Sequence, residues 1–262
     1  AQFTENEAKI VEQVIKRLSK KEKANDKANK SLRHTVTNRA LRRPLNAFVW
    51  LCRSTVINEL LAKSAELEHA LSEFLALPLA DTSDRLRASK IVCSIAFEHA
   101  ESAKLLVATG NYTSAVGLVR LQYEALVRAM WLFYAASDDA VSKLMRDLCT
   151  ESAQKANSIP MLTEMLEKLQ GKAPSEALRM LQEFKDYSWK PLSSFVHGGI
   201  HAISRHSKGY PKPLLIQLLK ISNGVSAMAG MLLVILSGDA RQQGKIPAIQ
   251  IAFSDCLPEP KV

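Results

Sequence analysis

The sequence predicts an all-α fold, a multi-helix up-and-down bundle preceded by a basic helical arm. Apolar residues recur at spacings of three and four rather than two, the period of an amphipathic helix and not of a strand. Glycine and proline, ten of each in 262 residues, are sparse until the last third, so little interrupts helices before it. A hydrophobic content of 47% is ample for a core at this length.

The elements follow in order. Thr4 and Glu7 have the spacing of a capping box, and Ile10, Val11, Val14, Ile15 and Leu18 then form an apolar stripe that stops at Ser19. Pro44 separates this arm from a long apolar helix over residues 46–77, which ends before Pro78. Asp81-Thr82-Ser83-Asp84 offers N-caps to a helix over 85–109, closed by Gly110-Asn111. The next helix spans 112–136, and Ser137-Asp138-Asp139 caps another that reaches about residue 157.

Pro160 and Pro174 sit at first-turn positions of two shorter helices, and Trp189-Lys190-Pro191 is expected to end that pair. A glycine-bearing helix or loop covers 192–206, and a long apolar helix covers 214–237. Ser222, Asn223, Gly224 and Ser226 interrupt the latter, so it reads as a buried core helix rather than a membrane span. Gly224, Ala227 and Gly230 could let helices approach closely, within one chain or between two copies in a homodimer. Beyond Gly238, residues 246–253 are expected to dock on the surface in extended form. The division is an arm at 1–43, a bundle at 44–238 and a tail at 239–262.

The net charge of +9 is concentrated in one place. Residues 16–43 hold eleven Lys and Arg against Glu22 and Asp26, while the rest of the chain carries equal numbers of acids and bases. An RNA or DNA partner would be met there, through Lys20, Lys21, Lys23, Lys27, Lys30, Arg33, Arg39, Arg42 and Arg43. Cys52, Cys93, Cys149 and Cys256 lie far apart with no C-x-x-C pair, which points to buried free thiols in a reducing cytoplasm. No basic segment followed by an apolar run opens the chain, and neither secretion nor a membrane is expected.

Two constellations stand out. Arg120, Glu124 and Arg128 fall at i, i+4 and i+8 among Val119, Leu126, Val127, Met130 and Trp131. Such a row is either an ordinary solvated ion-pair face or a partly buried polar network lining a cleft. The apolar neighbours favour the second, with Glu98, His99 or Glu101 of the preceding helix as partner. The other constellation is His197-Gly198-Gly199-Ile200-His201. Its two histidines would share a helical face, yet no acid lies between them as in H-E-x-x-H, so neither metal nor cofactor is expected. Paired glycines admit close approach of a helix or of a phosphate, helix packing being the commoner use. No G-x-S-x-G elbow, P-loop or dinucleotide fingerprint is present, and E-x-x-H occurs once, at Glu66 and His69.

The run Phe97-Glu98-His99-Ala100, Leu118-Val119-Arg120, Tyr123-Glu124-Ala125, Arg128 and Trp131, followed by Ser194-Phe195-Val196-His197-Gly198-Gly199, resembles a bacterial all-helical domain of unknown function. The likeness spans residues 46–237 and omits the arm. At greater distance the chain is similar in character to HEPN proteins, many of which act on RNA in toxin and phage-defence systems. Catalytic HEPN domains carry R-x(4–6)-H on one helix, and no arginine here has a histidine at that spacing.

These readings lead to three expectations. The first is a non-catalytic, nucleic-acid-associated helical protein that uses its arm. The second is an RNA-cleaving enzyme with a cross-helix site of His197, Glu124 and Arg120 or Arg128. The third is a small-molecule cleft drawn from His99, Tyr123, Trp131, His197, Gly198, Gly199 and His201. The position of His197 relative to Arg120 and Glu124 separates them.

Overall fold

The structure, a computed structural model, describes residues 55–151, 154 and 159–259, all within one compact unit, Phe48–Val262. The capping box, the basic arm, Cys52 and the first part of the 46–77 helix lie outside the described residues. Nine α-helices and no strand occur among the described residues, which form an all-α multi-helix bundle.

Helix α1 is Thr55–Ser72, continued by a 3-10 turn at Glu73–Ala76. The central pair is α2, Asp84–Ala108, and α3, Tyr112–Tyr134. Ser83 caps α2 by accepting from the Leu86 N–H. Gly110, at φ 80°, then reverses the chain, so α2 and α3 pack antiparallel along their length. The short α4, Asp138–Met145, is capped by Ser137. It stops well before residue 157 because it buries only Val141, and the polar Arg146-Asp147 that follows has no apolar stripe to continue.

Next come α5, Leu162–Leu169, and α6, Ser175–Val196. Pro191 does not end α6; the helix runs through it for another turn. Proline forfeits one ladder hydrogen bond, and burial of Leu192 with packing of Phe195 and Trp189 on either side outweighs that loss. A turn at His197-Gly198-Gly199 leads into α7, Ile200–Lys208, and then α8, Lys212–Ser237. The terminal segment is helical as well: α9 spans Lys245–Ala252 where extended chain was expected. Ile246, Ile249 and Phe253 lie at i, i+3 and i+7 and turn one face onto the core.

Helix α3 is the axis of the bundle, with α2 and α8 packed on it along with α5 and α6. Helix α8 also packs on α1, and it alone among the described residues has the length and apolarity to cross a membrane, with 67% of its most apolar window buried inside the fold. Its polar interruptions tie helices together. The Gln122 amide donates to the Ser222 carbonyl and the Ser226 hydroxyl, at 3.0 and 3.1 Å, and its carbonyl accepts from the Ser222 hydroxyl at 2.8 Å. Asn223 donates to Ser64 and to the Cys256 carbonyl, both at 2.8 Å. The small residues serve packing within the chain: a Cβ on Gly230 would lie 3.1 Å from Leu71 and 3.2 Å from Ile246, and one on Gly224 would lie 3.0 Å from Pro258. Cys93 and Cys256 are buried free thiols, whereas Cys149 is exposed. Burial pushes the Cys93 thiol up to about 12.

Candidate functional site

Arg120 and Glu124 stand one turn apart on α3, and their Nε and Oε1 atoms approach to 2.9 Å. The two atoms are buried, yet the N–H does not point along the line between them, so the contact is chiefly one of charge. Helix α6 brings two further groups. The Trp189 ring lies under the guanidinium, 4.4 Å from centroid to Cζ, and His197 at the C-cap places Nε2 3.3 Å from Arg120 Nη1. Trp189 and His197 are eight residues apart on α6, about 80° around its axis, and both nevertheless reach Arg120. The Arg120 side chain is only 13% exposed, while His197 is open to solvent. Arg120 has no hydrogen-bond acceptor capacity, so the contact requires His197 to present the Nε2 lone pair and carry its proton on Nδ1.

The glycines shape the turn that holds His197. Gly198 has φ 65° and open space where a Cβ would point, so its role is conformational. A Cβ on Gly199 would lie 2.6 Å from Ser194 Oγ, and that hydroxyl accepts the His201 N–H at 3.1 Å, capping the first turn of α7. The pair therefore serves a helix-to-helix turn rather than the expected close helix packing. It also puts His197 and His201 on different helices, so they do not share a face, and His201 instead lies against the Phe195 ring. Among the described residues no group of three or more His, Cys, Asp or Glu could hold a metal.

Among the described residues the other candidates make no polar contact with this cluster, although the Tyr123 ring meets Trp189 edge-on at 6.2 Å. Arg128, two turns beyond Arg120 on α3, is exposed. His99 is half-buried on α2, and no hydrogen bond or ion pair joins it, Glu98 or Glu101 to the Arg120 cluster among the described residues. The partners come from α6 and not, as expected, from α2. Tyr123 and Trp131 are core residues, 0% and 2% exposed, and line no cleft with His197. Tyr123 stacks on Phe184 at 4.1 Å and donates to the Leu181 carbonyl at 2.6 Å, and burial raises its phenol above the ordinary range.

Sequence reasoning did not pick out Trp189 as a site residue, although its i, i+8 relation to His197 was available. It also passed over a smaller polar group where α3 begins. There the Thr113 hydroxyl meets the Tyr210 hydroxyl at 2.8 Å and His206 Nδ1 at 3.2 Å. No local signal links residues 93 and 97 positions apart.

Among known protein families, the model of a family of unknown function, DUF6988, matches residues 93–259. The match takes in Arg120, Glu124, Trp189, His197 and Gly198-Gly199, and it leaves out α1 and the basic segment. No curated protein and no solved structure matches the chain.

Proposed function

Since the chain belongs to DUF6988, a family of unknown function, we propose from its own geometry a nucleic-acid-associated helical protein. In this reading Arg120 and His197 receive a backbone phosphate on the bundle, and the cations of residues 16–43 add affinity. One observation carries it: Trp189 and Glu124 hold the Arg120 guanidinium in place while an Nη nitrogen reaches the exposed His197. A guanidinium oriented in advance loses less freedom on binding a phosphate than a free one does. The fully buried Tyr123 and Trp131 leave this edge without the apolar walls a small-molecule cleft requires.

The test is binding of labelled RNA and DNA, single-stranded and duplex, across a salt series. Arg120→Ala should weaken binding and reduce the slope of log affinity against log salt by roughly one phosphate contact, about 0.7 to 0.9. Unchanged affinity and slope would remove Arg120 from the interface.

A second reading is favoured by the 3.3 Å contact between His197 and Arg120. It is metal-independent RNA cleavage by a cross-helix site that stands in for the absent R-x(4–6)-H helix. When Arg120 turns from His197 to the phosphate, the freed Nε2 takes the proton of a ribose 2′-hydroxyl, the oxygen attacks the adjacent phosphorus, and the 5′-oxygen leaves, taking a proton from water. Arg120 stabilises the charge on the phosphoryl oxygens. The products would be a 2′,3′-cyclic phosphate and a free 5′-hydroxyl. Binding without cleavage, or cleavage retained in His197→Ala, would leave the binding reading alone.

A further inference from the structure

Helix α7 carries a face that the bundle does not use. Of its nine residues only Ala202 is buried, and Ile200 and Ile203 are 77% and 65% exposed. On a helical wheel Ile203, Ser207, Ile200, Ser204 and Lys208 fall on one side, spanning about 140°, while Ala202, Arg205 and His206 fall on the other. Ile200, Ile203, Ser207 and Lys208 are exposed and Ser204 is half-buried, so two isoleucines project from an otherwise polar ridge with a lysine at its flank.

The stretch of chain that carries this ridge has one sign of charge. Between Tyr187 and Gly238 there is no Asp or Glu, while Lys190, Arg205, Lys208, Lys212 and Lys220 occur there with all of His197, His201 and His206. No ion pair to Arg205 or Lys208 occurs among the described residues. A second copy of the same face would be repelled by like charge. A nucleic acid would satisfy the cations but leave two projecting isoleucines with no apolar surface to enter. An anionic bilayer satisfies both, since headgroups take the cations and the acyl boundary takes the side chains.

We propose that the outward face of α7, with Ile200 and Ile203 at its crest, is a peripheral docking surface for an anionic lipid membrane. The contact is interfacial and involves no spanning helix. It is independent of the nucleic-acid reading, and it departs from the sequence-level expectation of no membrane, which rested on the lack of a leader and of a spanning segment.

The experiment is co-sedimentation of the full-length chain with vesicles of phosphatidylcholine, with and without phosphatidylglycerol. The wild-type chain should bind the anionic vesicles and not the neutral ones. Ile200→Ser with Ile203→Ser leaves the charge unchanged, so adhesion through residues 16–43 is common to both proteins. The double variant should lower partitioning about tenfold or more, given the area two isoleucines remove from water. Lys208→Glu should lower binding to anionic vesicles, and circular dichroism should show both variants as helical as the wild type, since all three side chains face solvent. Equal partitioning of wild type and double variant would overturn the proposal. So would loss of RNA binding by the isoleucine variant, which would assign the ridge to nucleic acid.

Discussion

Arg120 on α3 and His197 at the C-cap of α6 meet with Nη1 and Nε2 3.3 Å apart, although 77 residues separate them. The contact sets a held cation beside an exposed imidazole, and its supports yield separate expectations.

Glu124 holds Arg120 and also offsets its charge. The carboxylate is 28% exposed, so Glu124→Gln should cost about 1–2 kcal/mol, below the roughly 3–5 for breaking a fully buried pair. It should also raise RNA affinity, because Arg120 then faces phosphate uncompensated. Chemical denaturation and RNA titration of the same variant measure both, and unchanged RNA binding would count against Arg120 as a phosphate contact.

The turn that presents His197 rests on Gly198 at φ 65°. Gly198→Ala places a Cβ in the left-handed region and should cost about 1–2 kcal/mol. Gly199→Ala is expected to be worse for α7, because its Cβ would displace Ser194 Oγ from the His201 N–H. Amide exchange in α7 should then be faster in Gly199→Ala than in the wild type, and unchanged exchange would disprove the cap's role.

Lys104 and Glu68 form a buried ion pair between α2 and α1, with side chains 8% and 13% exposed. Desolvation dominates for each, raising the Glu68 carboxyl and lowering the Lys104 amine, and Glu68 Oε1 has no partner. Lys104→Met leaves a buried carboxylate alone and should cost about 3–5 kcal/mol near neutral pH. Glu68 has a folded pKa above its unfolded value, so its favourable contribution is complete below the unfolded pKa and is lost as pH rises through the folded one. The Lys104→Met deficit should therefore shrink as pH falls toward the ordinary glutamate value, and Glu68→Leu in the same chain should restore stability. Denaturation midpoints across pH check this; a deficit that grows on acidification would contradict it.

Removal of residues 1–43 should leave the helical bundle folded, since residues 20–43 hold few large apolar side chains to bury. If that segment makes six phosphate contacts, its loss should lower the salt slope by roughly four to five units. Circular dichroism reports the fold and a salt series reports the slope; an unfolded truncation would show that the stripe of Ile10, Val11, Val14, Ile15 and Leu18 packs on the bundle.

The helical class, the caps at Ser83 and Ser137 and the stop at Gly238 were legible because each depends on residues within one or two turns. The Arg120–Glu124 pair was legible for the same reason, at i and i+4. Even α9 was written in its apolar spacing, and reading it as extended overlooked the i, i+3, i+7 repeat of Ile246, Ile249 and Phe253. Helical period determines which side of a helix is apolar, but not which helix will cover it. Tertiary packing alone decided that α6 would run through Pro191 and bring Trp189 and His197 to Arg120. The same packing left Arg128 in water and sealed Tyr123 and Trp131 into the core. It paired Lys104 with Glu68 and Asn223 with Ser64, because a desolvated polar group takes whichever partner the surrounding helices bring within reach.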